Sequence, residues 1–445
     1  MAAEVTLRGT LHTRDLVIYG LVFMIPLAPA AMYGTYLVPA HGMVALCYLI
    51  GMAAMLFTGL SYRSMARKYP FAGSVYLYVQ KSLSPHLGFL TGWSVLLDYF
   101  LMPVTVVIIG SSFANSLLPQ IPMWAWSVLF ILFSTVTNIW SIEWLAKCSW
   151  ILFIFQMLVL LAFSICTLHM LWTQEIQWNT LSFYNPEEFE LSGVLQATGI
   201  VILSYLGFDA ISTLAEESIE PKKSVGRAIL WAILLSGVLF VFTTFLAGLA
   251  CPDYQALNPD TAFIDIVQFV GGDTLTIFTT AVLVTSFGLA TCQTSEAAVA
   301  RVLFAMGRDG ILPKFLARIN VVHQTPYAAI LLVSVVITPL SLLCSLEDIA
   351  VVVSFGALVG FAFLNIAVIW RFFIKDKENR QNHLLRSAVQ YVLFPGVGLM
   401  VTLSIFINLD QTAHLIGFGW MLAGAVYLFA VTHGFHEPVP QMELN

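Results

Sequence analysis

The sequence predicts an all-α integral membrane protein of twelve spans, and three observations predict it. Of 445 residues, 59% are hydrophobic and only 10% are charged, where a soluble domain carries about 25% charged residues. Apolar runs of about 20 residues, the length a helix needs to cross the hydrocarbon core, occur near residues 15–38, 42–64, 86–115, 122–141, 147–172, 192–215, 225–250, 274–304, 327–345, 348–372, 387–408 and 413–434. With both termini cytoplasmic, all 19 Lys and Arg residues then fall on the inner side. The positive-inside rule asks for that, and one miscounted span would invert every later loop.

The basic residues run from Arg8 and Arg14 through Arg63, Lys81 and Lys147 to Lys222, Arg301, Arg318 and Arg386, whereas the outer loops are acidic or neutral, as at Glu187, Glu188 and Glu190 or Asp253, Asp260 and Asp265. The formal net charge of -6 therefore reports sidedness and implies no nucleic-acid partner. Little chain remains between spans, which excludes receptors or enzymes built on a separate soluble module. The expected organisation is a cytoplasmic N-terminus at 1–14, a transporter core at 15–372, two additional helices at 387–434 and a cytoplasmic tail at 435–445. The first apolar run is too long for the h-region of a cleavable signal, so that span is expected to stay. Six cysteines without metal-ligand spacing read as small apolar packing residues.

Within the first span, MIPLAPAAMYG (Met24 to Gly34) places Pro26 and Pro29 at mid-membrane depth. Proline removes an amide donor and clashes with the preceding turn, which means either an ordinary kink or a break. The sixth span gathers Ser204, Gly207 and Asp209 where it should be most apolar. Irregular backbone at that depth is tolerated only where it lines a cavity or is buried in protein. Two interrupted spans five apart point to inverted repeats, about 15–172 and 192–372, around a midplane site.

Acids at membrane depth are few. Asp98 lies about twelve residues into the third span, roughly 18 Å deep at 1.5 Å per residue. Such a carboxyl binds a cation, carries a proton or hydrogen-bonds a neighbouring helix. Asp209 either meets substrate or caps the helix that restarts after the break. Glu296, near the inner end of the eighth span, can exchange a proton with the cytoplasm or pair with a basic loop residue. Glu216 and Glu217 close the sixth span beside Lys222 and Lys223, which suits an ion-pair lock better than substrate contact. Val75 to Ser82 reads as a short interfacial helix with Tyr76 and Tyr78 at headgroup level. No HExxH, GxSxG, Walker or GxGxxG pattern stands in a suitable context, so neither metal nor other cofactor is expected.

SYLGFDAISTLAEES followed by IEPKKSVGRAI, Ser204 to Ile229, resembles the sixth span and next loop of the amino acid/polyamine/organocation (APC) permeases. ARVLFAMGRDGILPKF, Ala300 to Phe315, resembles their loop after the eighth span. Ala66 to Pro103, ARKYPFAGSVYLYVQKSLSPHLGFLTGWSVLLDYFLMP, looks most like the bacterial putrescine importers. The resemblance implies a LeuT-like fold of two inverted five-span repeats plus two helices, with substrate between the broken first and sixth spans. By position the substrate-binding residues are Pro26, Ala28, Ala31, Tyr33 and Gly34, then Asp98 and Tyr99, then Ser204, Gly207, Phe208 and Asp209. Proton or gate candidates are Asp98, Asp209, Glu216, Glu217 and Glu296. Where the putrescine importers carry an aspartate in the first break, the aligned residue here is Ala31. The Gly-Ser-Gly type stretch that wraps a carboxylate in many amino-acid permeases is missing.

The implied function is secondary active import of a small organic amine such as putrescine, or of an amino acid, across a bacterial cytoplasmic membrane, with H+ as coupling ion and no cofactor. One alternative is a permease or exchanger for a neutral or cationic amino acid. A more remote one is a membrane enzyme or sensor, against which stand the missing nucleophile, base or metal cluster and the missing output domain.

Overall fold

Long apolar helices dominate the chain because a bilayer leaves backbone amides no other partner than their own helix. The computed structural model describes residues 9–434 except 72–73, 141, 259–260, 321, 378–383 and 410, and gives the backbone alone at 142–149, 347–348 and 350–351. The expected tail at 435–445, residues 1–8 with Arg8, and Asp260 thus lie outside the described residues. The longer α-helices are α1 (Thr13–Met24), α2 (Ala28–Leu37), α3 (Val44–Lys68), α4 (Ser74–Ser82), α5 (Pro85–Leu117), α6 (Met123–Trp140), α7 (Ile142–Trp172) and α8 (Leu191–Val201). They continue with α9 (Pro221–Ala250), α10 (Ala262–Val284), α11 (Cys292–Arg308), α12 (Tyr327–Leu343), α13 (Leu346–Val368), α14 (Phe394–Ile407) and α15 (Gln411–Val431). Among the described residues the only extended pairing is an isolated parallel bridge between Leu11 and Ser218.

Ten helices are long and apolar enough to cross a membrane, or eleven if α1 and α2, bent by 40° at their junction, form one span. The run expected at 327–345 forms α12, apolar but only 17 residues long. Lipid-facing stripes are legible on α6 and α7, where Leu129, Leu132 and Val136, and Ile151, Ile154, Leu158, Leu161 and Ile165, stand exposed at helical spacing.

Between helices in lipid there is no hydrophobic drive, so close crossings rest on small residues. A π-helical turn, Thr285–Thr291, joins α10 to α11, and it meets α5 backbone to backbone: a β-carbon on Gly110 would lie 2.6 Å from the Gly288 nitrogen. The last helix is fixed to α5 by a reciprocal tryptophan pair. Trp93 and Trp420 stack at 4.8 Å, and each indole N–H donates to the other's carbonyl, at 2.9 and 2.7 Å.

Helix α4 corrects one expectation. It forms where the interfacial helix was placed, but Tyr76 and Tyr78 are 1% and 0% exposed, and α4 packs on α5 and α13 instead of facing headgroups. Gly88 permits this, since a β-carbon there would stand 2.5 Å from the Gln80 α-carbon.

Candidate functional site

Both expected interruptions are present. Helix α1 stops at Met24, Ile25 turns to φ 53°, and α2 restarts at Ala28 with Pro29 in its first turn, where a missing amide is harmless. The sixth span leaves α geometry at Ile202, runs as a 3-10 turn to Tyr205, extends at Leu206 and passes through Gly207 at φ 113°. It resumes as 3-10 helix over Asp209–Glu217. The two breaks touch: a β-carbon on Gly207 would lie 2.0 Å from the Phe23 ring of α1.

Between them lies a cavity of about 60 Å³, well above the roughly 10–15 Å³ that one water needs. Its walls are apolar. Phe23, Met24 and Met32 face it from the first break, Leu203 and Leu206 from the sixth, and Met102 from α5, with Thr105 and Ser204 the polar exceptions. A hydroxyl chain lies beside it, linking α2, α3 and the sixth break. Tyr36 and Tyr48 hydroxyls are 2.7 Å apart, Tyr48 and Ser204 hydroxyls 2.9 Å, and Tyr205 donates to the Tyr48 carbonyl at 2.8 Å.

The two acids stand outside this lining. Asp209 Oδ2 accepts a 2.6 Å hydrogen bond from the Tyr99 hydroxyl, and its Oδ1 accepts from the Gly207 amide at 3.3 Å. The carboxylate therefore caps the break itself. Asp98 is 4% exposed and directly precedes Tyr99, whose hydroxyl holds Asp209. Its Oδ1 has no hydrogen-bond partner. Backbone from α13 closes over it, a β-carbon on Gly356 falling 2.3 Å from the Ser94 oxygen and 3.0 Å from the Asp98 nitrogen.

At the basic end of the bundle the sixth span is locked to α11. Arg308 donates to both Glu216 oxygens at 2.8 Å, and Arg301 makes a two-pronged pair with Glu217, one arm at 3.1 Å. Arg301 also donates to the Ala297 carbonyl at 2.9 Å. These arginines, and not the expected Lys222 and Lys223, complete the lock; Lys223 stands 3.5 Å from Glu220. The segment before α1 joins in, since the Thr10 and Leu11 amides both donate to the Glu217 carbonyl at 2.9 Å. Just past α11, Asp309 accepts from the Tyr76 hydroxyl at 2.5 Å, and burial pushes that carboxyl above its ordinary pKa.

Glu296 is fully buried and surrounded by Ser134, Thr135, Asn138 and Ser334, whose hydroxyls and amide all lie within hydrogen-bond reach of its carboxylate. It pairs with no basic loop residue among those described.

Of the expected substrate residues, Ala28 and Ser204 line the cavity. Pro26 forms the first break, while Ala31, Tyr33 and Gly34 belong to α2 away from the lining. Tyr33 instead meets Phe263 edge-on at 5.8 Å. Phe208 is fully buried between Tyr62 and Phe361, and Asp98, Tyr99, Gly207 and Asp209 form a polar layer beside the cavity. Sequence reasoning missed Phe23, Met102 and Phe287. A signal existed for one: Asp98, Met102 and Thr105 fall at i, i+4 and i+7, on one stripe of α5.

An all-helical bundle with membrane-length apolar helices, two of them interrupted around a shared buried cavity, defines a membrane transporter of the broken-helix type. The chain belongs to the Amino acid permease family, within the APC superfamily, whose sequence profile matches residues 31–416. It is 32% identical to the low-affinity putrescine importer PlaP of Escherichia coli (strain K12), over 99% of this chain and 97% of that protein. It is 26% identical to the branched-chain amino acid permease BcaP of Bacillus subtilis (strain 168), over 96% of this chain and 94% of the other. In fold it matches the crystal structure of MhsT in complex with L-phenylalanine with a TM-score of 0.63 at 15% identity, covering 90% of this chain and 100% of that one, which makes the fold LeuT-like. The protein is a small-molecule transporter, not an enzyme.

Proposed function

We propose that this protein is a proton-driven importer of a bacterial cytoplasmic membrane whose substrate has one ammonium end and a compact apolar body, as an aliphatic amino acid has. The observation that carries this is the apolar cavity between the two breaks, with Asp98 and Asp209 outside its lining. Carbonyls released where α1 and the sixth span unwind replace the hydration of the ammonium, and Phe23, Met32, Met102 and Leu206 receive the body. Removing about one methylene from water contributes about 0.8 kcal/mol, so an apolar pocket discriminates by size.

Transport follows alternating access: twelve spans, ten of them in two inverted repeats, rock around the fixed site, with both termini cytoplasmic and the Glu216–Arg308 and Glu217–Arg301 pairs closing the inner end. A second reading, import of a diamine, is favoured by the identity to PlaP along the whole chain and by two carboxylates one turn from the cavity. Uptake of labelled L-isoleucine and putrescine by proteoliposomes under an inward proton gradient decides. Isoleucine accumulation is expected; accumulation of putrescine alone overturns the apolar-body reading.

A further inference from the structure

Glu296 is a buried acid that the cavity does not use. Three helices meet on its carboxylate. From α6, Ser134 and Asn138 donate to Oε2, the amide at 3.0 Å, and Thr135 approaches Oε1 at 3.0 Å. From α12, Ser334 donates to Oε1 at 2.6 Å. Neutral donors of this kind favour the ionised form without any counter-cation.

These donors also have somewhere else to go. Ser334 Oγ lies 2.9 Å from the Ile330 carbonyl and Thr135 Oγ1 2.7 Å from the Ile131 carbonyl, each one turn back on its own helix. The two hydroxyls are 2.7 Å from each other. A hydroxyl carries one proton, so it serves the carboxylate or the carbonyl, never both at full strength.

We propose that Glu296 is a proton-binding switch at the junction of α6, α11 and α12. Ionised, it is held by Ser134, Asn138 and Ser334, and Thr135 donates to Ser334 Oγ. On taking up one proton its own O–H donates to Ser334 Oγ, Ser334 turns its proton to Thr135 Oγ1, and Thr135 donates to the Ile131 carbonyl. Every group stays satisfied in both states, and nothing but the added proton is consumed. The exchange replaces charge-assisted bonds by neutral ones about half as strong, which loosens the grip of α6 and α12 on α11. Helix α11 also carries Arg301 and Arg308, so the loosening reaches the lock on the sixth span. This inference rests on the proton-driven reading above.

No fixed charge competes for Glu296 among the described residues. On its own helix the nearest titratable group is Cys292, one turn earlier. Helices α6 and α12 turn hydroxyls and an amide toward it. From α1, Tyr19 donates to the Thr294 carbonyl at 2.7 Å. On the segment Asp209–Glu217, Glu216 and Glu217 hold Arg308 and Arg301, and on α5 Tyr99 donates to Asp209, with Asp98 buried next to Tyr99 in sequence. Lys314 stands on the turn Lys314–Ala317 beyond the end of α11.

Infrared difference spectroscopy of the purified protein in lipid nanodiscs, between alkaline and acidic buffer, tests the switch. Wild type is expected to gain a protonated-carboxyl band that Glu296→Gln lacks; an undiminished band in Glu296→Gln overturns the proposal. Should that variant fail to assemble, Ser334→Ala answers the same question, because it removes one donor from the ionised form. Its band should appear at a pH higher by about one unit, which is about 1.4 kcal/mol, and an unmoved band overturns the switch. Isoleucine uptake by wild type that ignores the proton gradient sinks the proton-driven reading separately, leaving the infrared result to decide Glu296.

Discussion

Phe23 on α1 lies against Gly207 of the sixth span so closely that no β-carbon fits between them, the nearest ring carbon standing 2.0 Å from where one would be. This contact joins the two interruptions into one site. It also explains why the sixth span needs glycine twice over, for a φ of 113° and for the approach of an aromatic ring.

Gly207→Val should therefore abolish uptake while leaving membrane levels near normal. The backbone strain alone is about 1–3 kcal/mol, and Phe23 must leave the cavity wall as well. Gly207→Ala should retain partial uptake at most. Wild-type rates in the valine variant, measured in whole cells against quantified protein, would separate the breaks from transport.

Asp98 gives a test that splits the two substrate readings. It does not line the cavity, so for a substrate with one ammonium end Asp98→Asn should change the apparent KM by no more than about threefold, which is under 1 kcal/mol. A diamine's second ammonium would reach past Met102 to this carboxylate. A KM for putrescine raised more than about tenfold by Asp98→Asn, about 1.4 kcal/mol, would return Asp98 to the substrate.

Much of this architecture is readable before any coordinates. Pro26 and Pro29 announce the first break through lost amides, Gly207 and Asp209 announce the second through polarity at depth, and both signals are local in sequence. The lock is not local. Glu216 finds Arg308 92 residues on and Glu217 finds Arg301 84 residues on, while Lys222 and Lys223 lie nearer in sequence and take no part in it. Likewise the hydroxyls around Glu296 arrive from 162 residues before it and 38 after, which no spacing rule relates. Met102 and Phe287 look like ordinary span residues, because an apolar cavity wall and an apolar lipid face use the same side chains.

Breaking the lock should be costly in a specific pattern. Glu217→Ala leaves the Arg301 guanidinium buried without its counter-charge, at about 3–5 kcal/mol, and should lower the melting temperature in detergent. The double variant Glu217→Ala with Arg301→Met should recover part of that loss. Additive losses in the double-mutant cycle would mean the pair contributes no coupling.

Orientation can be checked chemically. The loop from Gln174 to Leu191 carries four glutamates and no Lys or Arg, and such loops translocate readily. A cysteine at Asn179, half-buried between the exposed Trp178 and Thr180, should react with an impermeant thiol reagent from outside intact cells, once accessible native cysteines are replaced. Labelling only after lysis would overturn the proposed sidedness.

Met102 is the residue on which specificity should turn. It stands on the same stripe of α5 as Asp98 and faces Leu206 and Met32 across the cavity, so its flexible thioether sets the room left for the substrate's body. Truncation to alanine removes about three heavy-atom positions of apolar contact, at roughly 0.8 kcal/mol per methylene. A small aliphatic substrate then loses contact, and L-isoleucine uptake should show a KM higher by about tenfold or more. A bulkier body gains the vacated space. The ratio of KM for L-phenylalanine to KM for L-isoleucine should thus fall in Met102→Ala, and because both substrates share the ammonium and carboxylate ends, that ratio is insensitive to any change in how those ends are held. An unchanged ratio would mean that the substrate's body lies elsewhere than in this cavity.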